Sequence, residues 1–277
     1  MKKSKIFITG GAGFIGSNLA QKFLFDEFEV TIFDNLSNGK LKNIDDLFGH
    51  PRFNFIKEDL NNENILNSSI ANHDLVIHLA SNADIAKAQV DPLIDFNEGV
   101  NLTVRVLEAM RKNNIKSLIF TSGSGVYGEV PDMPVDENFS PLFPVSTYGA
   151  QKLSSENYIS AYSFMFDMSC VAFRFANVVG PKQTHGVTHD FILRLLKDPN
   201  ELEILGDGTQ TKPFVHVDDI YNAFLTIIEK LDFNKPFFDT YNVASEDHVT
   251  VNQIAQMICE QMDLQNVKFR FTGGARG

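Results

Sequence analysis

A glycine-rich turn near the start of the chain limits what this sequence can fold into. The segment Gly10–Gly16 stands between a short apolar run, Lys5–Thr9, and a stretch with helical spacing of apolar residues, Phe14–Phe25. Glycines between a strand and a helix let backbone N–H groups approach a pyrophosphate, and the positive end of the helix dipole then faces the phosphates. This context predicts a dinucleotide site rather than a purely structural turn.

Strand and helix patterns alternate through the first part of the chain. Further strands are predicted at Glu29–Phe33, Phe53–Lys57, Asp74–His78, Ser117–Thr121 and Ser169–Phe175. Long helices are predicted at Pro92–Lys112 and Thr147–Phe164, of which the first carries an apolar stripe. The alternation is typical of an α/β fold of Rossmann type, a doubly wound parallel sheet with helices on both faces.

The alternation weakens after Asn177, where Gly, Pro, Asn and Asp become frequent. Shorter helices are predicted at about His189–Lys197, Asp218–Leu231 and Thr250–Met262. We therefore predict two domains, a dinucleotide-binding domain over residues 1–176 and a smaller C-terminal α/β substrate lobe over residues 177–277. Residues 213–231 are the candidate for a segment that returns to the first domain.

Composition argues against several classes of partner. A formal net charge of −11 disfavours nucleic acid or an anionic membrane as the main partner. Two cysteines, Cys170 and Cys259, provide no disulfide framework. Met1 leads almost directly into the first strand without a signal-peptide pattern, and no apolar run approaches the roughly 20 residues that a membrane helix needs. A cytoplasmic protein is expected.

Acidic residues follow the next two predicted strands. Asp34 ends the second strand, where an acid accepts hydrogen bonds from both ribose hydroxyls and repels a 2′-phosphate. NAD is therefore favoured over NADP, although Asp34 also suits the turn over residues 34–39. Asp59 and Leu60, after the third strand, are either an adenine contact or part of an exposed loop.

Tyr148 and Lys152 are four residues apart in a predicted helix, so their side chains share a face. A lysine ammonium beside a phenol favours the phenolate and lowers the pKa of the tyrosine. Tyr148 is thus a candidate general base at neutral pH. The spacing alone is common, and it is the position of the pair after the fifth strand that supports this interpretation.

Three histidines offer weaker signals. His185 and His189 are four residues apart, but no cluster of acids or cysteines joins them, so no metal site is predicted. His78 lies in an apolar strand, where a histidine with satisfied hydrogen bonds in the core is expected.

Motifs in a fixed order extend along almost the whole chain. They lie at residues 9–16, 34–37, 78–80, 126–128, 148–152, 174–181, 206–210, 214–219 and 272–277. Together they resemble the extended short-chain dehydrogenase/reductase family, in particular its NAD-dependent epimerase/dehydratase group and the members similar to UDP-glucose 4-epimerase. Members of that family continue beyond the position of Gly277, so the chain is either truncated or naturally short.

The resemblance implies roles for individual residues. Tyr148 would be the acid/base and Lys152 would bond the nicotinamide ribose of NAD. The other cofactor contacts would be Gly10, Gly13, Phe14, Ile15, Gly16, Asp34, Asn35, Asp59, Leu60, Leu79, Ala80, Ser81 and Asn101. A nucleotide-sugar substrate would be held by Asn177, Lys212 and Arg276. Lys212 stands where members of the family usually have arginine, so the bidentate grip on phosphate is lost there.

One departure from the family pattern concerns a catalytic hydroxyl. Members of the family place Ser or Thr three residues before the valine of Val-Tyr-Gly, and here that position is Gly123. Ser124 or Ser122 can take over, Ser124 being the preferred candidate, because the two glycines of the loop give it freedom. The alternative is that neither serine acts and Tyr148 works alone or through water.

The same loop bears on the type of reaction. Dehydratases and decarboxylases of the family carry Asp or Glu just before Val-Tyr-Gly, whereas this chain has Ser124 and Gly125. The resemblance therefore implies an isomerase, an NAD-dependent 4-epimerase of a UDP-hexose or UDP-hexuronate that acts through a transient 4-keto sugar. A dehydratase or 4-keto reductase of the same fold and a non-catalytic NAD-binding sensor remain alternatives. The family also implies a homodimer formed by the helices at Pro92–Lys112 and Thr147–Phe164.

Overall fold

The computed structural model describes residues 4–82, 85–130, 134–230, 232 and 235–273. The strands are β1 (Lys5–Thr9), β2 (Glu29–Phe33), β3 (Phe53–Ile56), β4 (Leu75–His78), β5 (Ser117–Gly123), β6 (Ser169–Phe175), β7 (Asn177–Val179), β8 (Glu201–Ile204), β9 (Thr211–His216), β10 (Phe237–Val243), β11 (His248–Thr250) and β12 (Lys268–Phe271). The helices are α1 (Phe14–Phe25), α2 (Glu63–Ile70), α3 (Ile85–Val90), α4 (Leu93–Asp95), α5 (Leu102–Lys112), α6 (Thr147–Phe166), α7 (Val187–Lys197), α8 (Val217–Lys230) and α9 (Val251–Gln261).

The chain divides into two compact units, and the first consists of Met1–Phe175 and Tyr221–Val243. Its seven strands form one sheet in the order β10-β6-β5-β4-β1-β2-β3, and every neighbouring pair is parallel. The predicted Rossmann-type α/β fold is confirmed. Strand order reverses between β1 and β4, and dinucleotides bind at this kind of switch point, outside the carboxyl ends of the strands.

The core of the first unit lies between the central strands and helices α5 and α6. Leu118 and Phe120 of β5 are buried with Ile159 of α6 and with Val106 and Met110 of α5. Each such side chain stabilises the fold by about 1.5–3 kcal/mol through burial alone. The packing fixes α6 against β5, and α6 carries Tyr148 and Lys152.

His78 is a core histidine, as its apolar strand predicts. It is fully buried, and its two ring nitrogens lie 2.7 Å from Thr9 Oγ1 and 3.1 Å from Thr103 Oγ1. Burial, assisted by the positive charge of Lys152, lowers the pKa of His78 to about 3. The imidazole is therefore neutral at physiological pH and serves to connect β4 with β1 and α5.

The helix predicted over Pro92–Lys112 is not continuous. A π-helical segment, Phe96–Asn101, separates α4 from α5. Gly99 lies in this segment, and a Cβ there would be only 1.9 Å from Oε1 of Gln151 on α6. A larger residue at position 99 would therefore have to displace the side chain of Gln151, a close contact between helices that the apolar stripe alone does not reveal.

The second unit consists of Ala176–Ile220 and Ala244–Gly277. It contains a three-stranded sheet, β11-β9-β7, and a two-stranded parallel sheet, β12-β8. Phe191 and Leu195 of α7 and Ile254 of α9 form its core with Leu202 and Ile204 of β8. Thr250 and Gln253 form a capping box at the start of α9, so the predicted helix begins one residue later than expected. None of the described helices has the length and apolarity needed to cross a membrane.

Candidate active site

The turn between β1 and α1 requires glycine at two positions. Gly10 has φ +68°, and its N–H donates to Phe33 O at 3.0 Å. A Cβ on Gly10 would be 2.8 Å from Ala80 N, and one on Gly16 would be 2.6 Å from Gly11 Cα. Such distances exclude a side chain, so the glycines bring the backbone of the turn against the end of β4 and the start of α1.

Gly13 has a different role, because a Cβ there would meet only Gly10 O, at 3.2 Å. This residue is the N-cap of α1, which has no side-chain cap and no acidic residue in its first turn. The first N–H groups of the helix, at Phe14 and Ile15, therefore keep their capacity to bind an anion. An uncapped helix start behind a turn of three glycines and one alanine fits the pyrophosphate of a dinucleotide.

Asp34 lies at the end of β2 beside this turn and is only 7% exposed. Its carboxylate accepts N–H groups of Ala12 at 2.9 Å and of Leu36 at 2.7 Å. Burial nevertheless raises the pKa of Asp34 above its ordinary value. Each carboxylate oxygen keeps a lone pair, so the residue can also accept ribose hydroxyls, as the sequence predicts.

Asp59 and Asn35 form the neighbouring edge of this region. Asn35 Nδ2 donates to Asp59 Oδ2 at 2.7 Å, and the N–H of Asn61 donates to Asp59 Oδ1 at 2.8 Å. Burial alone would raise the pKa of Asp59, but these hydrogen bonds outweigh it and hold the pKa below its ordinary value. Leu60 beside it is buried. The contact of Asp59 with adenine stays a prediction.

Lys152 connects α6 to the ends of two strands. Its ammonium donates to Thr121 O at 2.8 Å and to Ser81 Oγ at 3.1 Å, and it lies 5.7 Å from the centroid of the Tyr148 ring. Lys152 is 3% exposed, and burial lowers its pKa to about 8, although the charges of Glu156 and Asp95 oppose this effect. The structure thus brings together Ser81, Tyr148 and Lys152 of the predicted site.

The pKa of Tyr148 departs from the sequence-based expectation. Burial and, to a lesser extent, the negative charge of Asp95 raise this pKa to about 12, whereas a neighbouring lysine was expected to lower it. The reason is geometric, because Lys152 directs its hydrogen bonds to Thr121 O and Ser81 Oγ. Tyr148 therefore holds its proton at neutral pH in this structure, and the phenol suits the proton-donating half of an acid/base cycle.

The loop after β5 separates the two candidate hydroxyls. Ser122 is 3% exposed and its Oγ has no hydrogen-bond partner among the described residues, whereas Ser124 is exposed. Strand β5 extends to Gly123, two residues beyond its predicted end, and a 3₁₀ turn follows at Ser124–Tyr127. Of the two serines, only Ser124 is accessible to an incoming molecule.

Helix α6 and this loop meet through a pair of glycines. A Cβ on Gly149 would be 2.4 Å from Gly125 O. Ser146 caps the helix by accepting the N–H of Gly149 at 3.0 Å. Tyr148 is thereby fixed between its cap and the loop.

Two buried polar residues near Tyr148 were not singled out from the sequence. Asp95 is 1% exposed, accepts Asn82 Nδ2 at 2.9 Å through Oδ1 and has no described partner for Oδ2. Gln151 is 3% exposed, and neither atom of its amide has a partner among the described residues. An acid within an amphipathic stretch looks like a surface residue in the sequence, so no sequence signal identifies Asp95. Asn101, predicted to contact the cofactor, ends the π-helical segment and is half-buried.

The predicted substrate residues belong to the second unit or lie outside the described residues. Asn177 begins β7 and donates to Pro213 O at 3.1 Å. Lys212 lies on the neighbouring strand β9 and is exposed. Arg276 lies outside the described residues. No cluster of metal-binding side chains is found among the residues that the structure describes.

A shallow cavity of about 330 Å³ lies at the opposite edge of the first unit. Its lining includes Lys5, Glu29 and Phe53, the first residues of three parallel strands, and it therefore faces away from the carboxyl ends. Lys5 and Glu29 form a salt bridge at 3.1 Å across it. The cavity is therefore not part of the site around Tyr148.

The fold and site define a dinucleotide-dependent enzyme of the extended short-chain dehydrogenase/reductase type, with a glycine turn at the switch point and a Tyr–Lys pair on the adjoining helix. The chain belongs to the NAD dependent epimerase/dehydratase family, whose model matches residues 6–244. This membership confirms NAD as the cofactor, and the residues of the turn fit it.

Similar proteins extend the comparison. A putative UDP-glucose 4-epimerase of Methanocaldococcus jannaschii is 33% identical over 259 residues, which cover 91% of this chain and 81% of that protein. A UDP-N-acetylglucosamine 4-epimerase from Methanobrevibacter ruminantium, solved with UDP-N-acetylmuramic acid, has a TM-score of 0.89 at 32% identity and covers 100% of this chain and 87% of its own. A UDP-glucuronic acid 4-epimerase from Bacillus cereus, solved with UDP-glucuronic acid and NAD, has a TM-score of 0.89 at 30% identity, with 99% and 87% covered.

Proposed function

We propose that this protein is an NAD-dependent 4-epimerase of a UDP-linked hexose or hexuronate. The observation that carries the proposal is the position of Tyr148, which lies on α6 beside Lys152 and faces a loop, Ser122–Gly125, without a carboxylate. Elimination of water from a sugar needs an additional acid or base, whereas epimerisation at one carbon needs a single proton-exchanging group. The loop therefore favours epimerisation over dehydration.

The names of similar proteins support this choice of substrate class. The Methanocaldococcus relative is named a putative UDP-glucose 4-epimerase, and the Bacillus cereus structure is a UDP-glucuronic acid 4-epimerase. A Mycolicibacterium smegmatis protein that is 34% identical over 228 residues, covering 80% of this chain and 72% of that protein, is named UDP-glucose 4-epimerase. Their sugars differ while their nucleotide and the reacting carbon agree, so the proposal specifies UDP and C4 and leaves the sugar to experiment.

In the proposed mechanism Tyr148 exchanges a proton with the 4-hydroxyl of the sugar. Oη of Tyr148 receives that proton as the hydroxyl becomes a ketone and returns it when the alcohol is formed again. Lys152, anchored on Thr121 O and Ser81 Oγ, supplies a positive charge that stabilises the phenolate and binds the nicotinamide ribose. NAD, when bound, supplies reversible oxidation at C4 of the sugar.

Other residues position the two ligands in this proposal. Ser124 is accessible and is the first candidate for the catalytic hydroxyl that is missing at Gly123. Ser122 is buried and is a second candidate only if the loop rearranges. We assign Asn177, Lys212 and Arg276 to the diphosphate of the substrate. An amide and two cations provide the donors that a diphosphate requires, and the single ammonium of Lys212 grips it as a point charge.

We also propose that the protein forms a homodimer through α5, the segment before α5, and α6. Leu93 and Phe96 are 66% and 57% exposed, and Tyr158 and Met165 of α6 are 47% and 69% exposed. Apolar side chains of this size on neighbouring helices are typical of surfaces that are covered in an oligomer. Sedimentation equilibrium tests this proposal, and a monomer at micromolar concentration would refute it.

The activity is tested with purified protein and a panel of nucleotide sugars. The panel contains UDP-glucose, UDP-galactose, UDP-glucuronate and the N-acetylated hexoses, with CDP- and dTDP-glucose as controls for the nucleotide. Proton NMR of the products is expected to show conversion to the 4-epimer of one UDP-sugar without net formation of NADH. Tyr148→Phe is expected to retain NAD and to lose turnover, and unchanged turnover in that variant would exclude Tyr148 as the acid/base.

A further inference from the structure

Two glycines line one side of the Tyr148 ring. A Cβ on Gly123 would be 3.7 Å from Tyr148 Oη, and a Cβ on Gly125 would be 3.8 Å from Tyr148 Cδ1. Both distances are ordinary van der Waals contacts. Neither glycine is therefore imposed by a clash with the tyrosine.

The backbone does not impose glycine at residue 123 either. Gly123 has φ −160° and ψ 163°, an extended conformation that any residue adopts. It pairs with Phe175 as the last residue of β5. Its missing side chain can therefore be restored by substitution without strain, and this sets it apart from Gly10, Gly16 and Gly149.

The hydroxyl of Tyr148 lacks a protein partner at this point. No group among the described residues hydrogen-bonds to Tyr148 Oη, since the accessible Ser124 makes no such bond and Ser122 is buried. A phenol that both gives and takes a proton works through a hydrogen-bonded partner. One direction from which a partner can approach is the side-chain position of residue 123, since a Cβ there would be 3.7 Å from Tyr148 Oη.

We propose that a water molecule lies next to this side-chain position and links Tyr148 Oη to the reacting hydroxyl of the substrate. The inference rests on the proposed function. A buried water needs about 30 Å³ and at least two polar partners. The candidate partners are Tyr148 Oη and Phe175 O, which lie 3.7 Å and 4.0 Å from the Cβ position of residue 123, so the water has to lie outside that position, closer to both oxygens.

The proton transfer balances through this water. The O–H bond of the substrate breaks as its proton binds the water oxygen, and an O–H bond of the water breaks as its proton binds the phenolate of Tyr148. The reverse sequence returns the proton when the alcohol is formed again. No oxidant beyond the NAD of the proposed function is involved, and the water is regenerated in each direction.

Three variants test the proposal. Gly123→Ala puts a methyl group into the space that the water needs and is expected to lower kcat about 10–100-fold, within the range of a lost acid/base relay. Gly123→Ser supplies a hydroxyl there and is expected to keep kcat within about threefold of the wild-type value or to raise it. Gly125→Ala is the matched control, because its methyl meets the ring edge and Gly149 rather than Oη, and it is expected to change kcat less than about twofold.

A second measurement needs no substrate. Tyrosinate absorbance of the NAD-loaded variants, with Tyr148→Phe as the blank, reports the pKa of Tyr148. This pKa is expected to be higher in Gly123→Ala than in Gly123→Ser or wild type, because a hydrogen bond to the phenolate favours ionisation.

The outcomes decide between the proposal and its alternatives. The proposed water would be refuted if Gly123→Ala kept the wild-type kcat or if Gly123→Ser lost as much kcat as Gly123→Ala. Equal pKa values of Tyr148 in the wild type and both variants would also refute it. If no nucleotide sugar is converted by the wild-type protein, the proposed function fails, and the titration still decides whether a water is bound to Tyr148. Thermal melting and bound NAD, measured for each variant, identify any that is misfolded.

Discussion

The ammonium of Lys152 lies 2.8 Å from the carbonyl oxygen of Thr121, and this hydrogen bond connects helix α6 to strand β5 near the carboxyl end of the strand. The acceptor belongs to the main chain, so the contact depends on the course of β5 and not on a particular side chain at residue 121. An apolar side chain of similar length keeps the buried volume of Lys152, so loss of its charge should affect chemistry more than folding.

Lys152→Met is therefore expected to lower kcat by about 100-fold or more, because it removes the charge that stabilises a phenolate at Tyr148. Lys152→Arg keeps the charge in a planar group and should lose less. Steady-state turnover at pH 7 and bound NAD measure both effects. Lys197→Met, an exposed lysine at the end of α7, is the control, and equal losses in the two methionine variants would argue for a non-specific effect.

Asp95 should set the pH range of the reaction. Its negative charge raises the pKa of both Tyr148 and Lys152. In Asp95→Asn both pKa values fall, so the limb of the kcat–pH profile that reflects Lys152, near pH 8, should move to lower pH by about 0.5–1 pH unit. The exposed Asp91→Asn should leave the profile in place. A profile that keeps its limbs in Asp95→Asn would show that Asp95 does not act on the pair.

The glycine turn allows loss of binding to be separated from loss of folding. Gly10→Ala meets Ala80 N and forces a non-glycine residue to φ +68°, so it should destabilise the protein by about 1–3 kcal/mol and abolish NAD binding. Gly13→Ala meets only Gly10 O, so the melting temperature should change little while the Kd for NAD rises about tenfold or more. Thermal melting and calorimetric titration with NAD distinguish them, and the reverse order would contradict the assignment of the turn.

Asp34 should determine the choice of dinucleotide. A 2′-phosphate beside this buried carboxylate places like charges together, so the wild-type protein should bind NAD at least about 100-fold more tightly than NADP. Asp34→Asn should weaken the binding of NAD and bring the affinities for NAD and NADP to within about tenfold of each other. Asp59→Asn, at the neighbouring edge, serves as the comparison. Equal affinity of the wild-type protein for the two dinucleotides would disprove the role of Asp34.

His78 should make the fold sensitive to acid. Its pKa is about 3 in the folded protein and near 6.5 when unfolded, so the unfolded chain binds an additional proton between these values. The contribution of a neutral His78 to stability is complete above pH 6.5 and is lost as the pH falls towards 3, at up to about 1.4 kcal/mol per pH unit.

Urea unfolding of His78→Gln between pH 7 and pH 5 tests this dependence. The variant should be less stable at pH 7, since it loses the bonds to Thr9 and Thr103, but its stability should depend less on pH. His248→Gln, at an exposed position, should retain the wild-type slope. An unchanged slope in His78→Gln would mean that another group dominates acid unfolding.

Much of the first unit follows from local sequence patterns. The runs at Lys5–Thr9 and Ser169–Phe175 form strands with the predicted bounds, because most of their residues are apolar and nearly all of them are buried. Helix α2, by contrast, was not predicted. Its eight residues contain few apolar positions, and it is recognisable mainly through the Asn62 cap, which accepts Ile65 N–H.

The site was predictable in its residues and not in its electrostatics. The i, i+4 spacing places Tyr148 and Lys152 on one face, and this follows from helix geometry. Lys152 directs its hydrogen bonds to residues at the ends of β4 and β5, and Asp95 lies beside the π-helical segment. These elements are distant from α6 in sequence. A pKa depends on these long-range contacts, so the expected lowering at Tyr148 was wrong in this structure although the pair itself was identified.

The back-to-back arrangement of Gly125 and Gly149 has a consequence for engineering new specificity. Any side chain at residue 149 meets the main chain of the loop, so mutant libraries that randomise this position will consist mostly of damaged proteins. Residues 123 and 124 carry no such restriction. Libraries aimed at new sugars should therefore keep the start of α6 constant, and at residue 123 the limit on a side chain is set by the hydroxyl of Tyr148 and not by the fold.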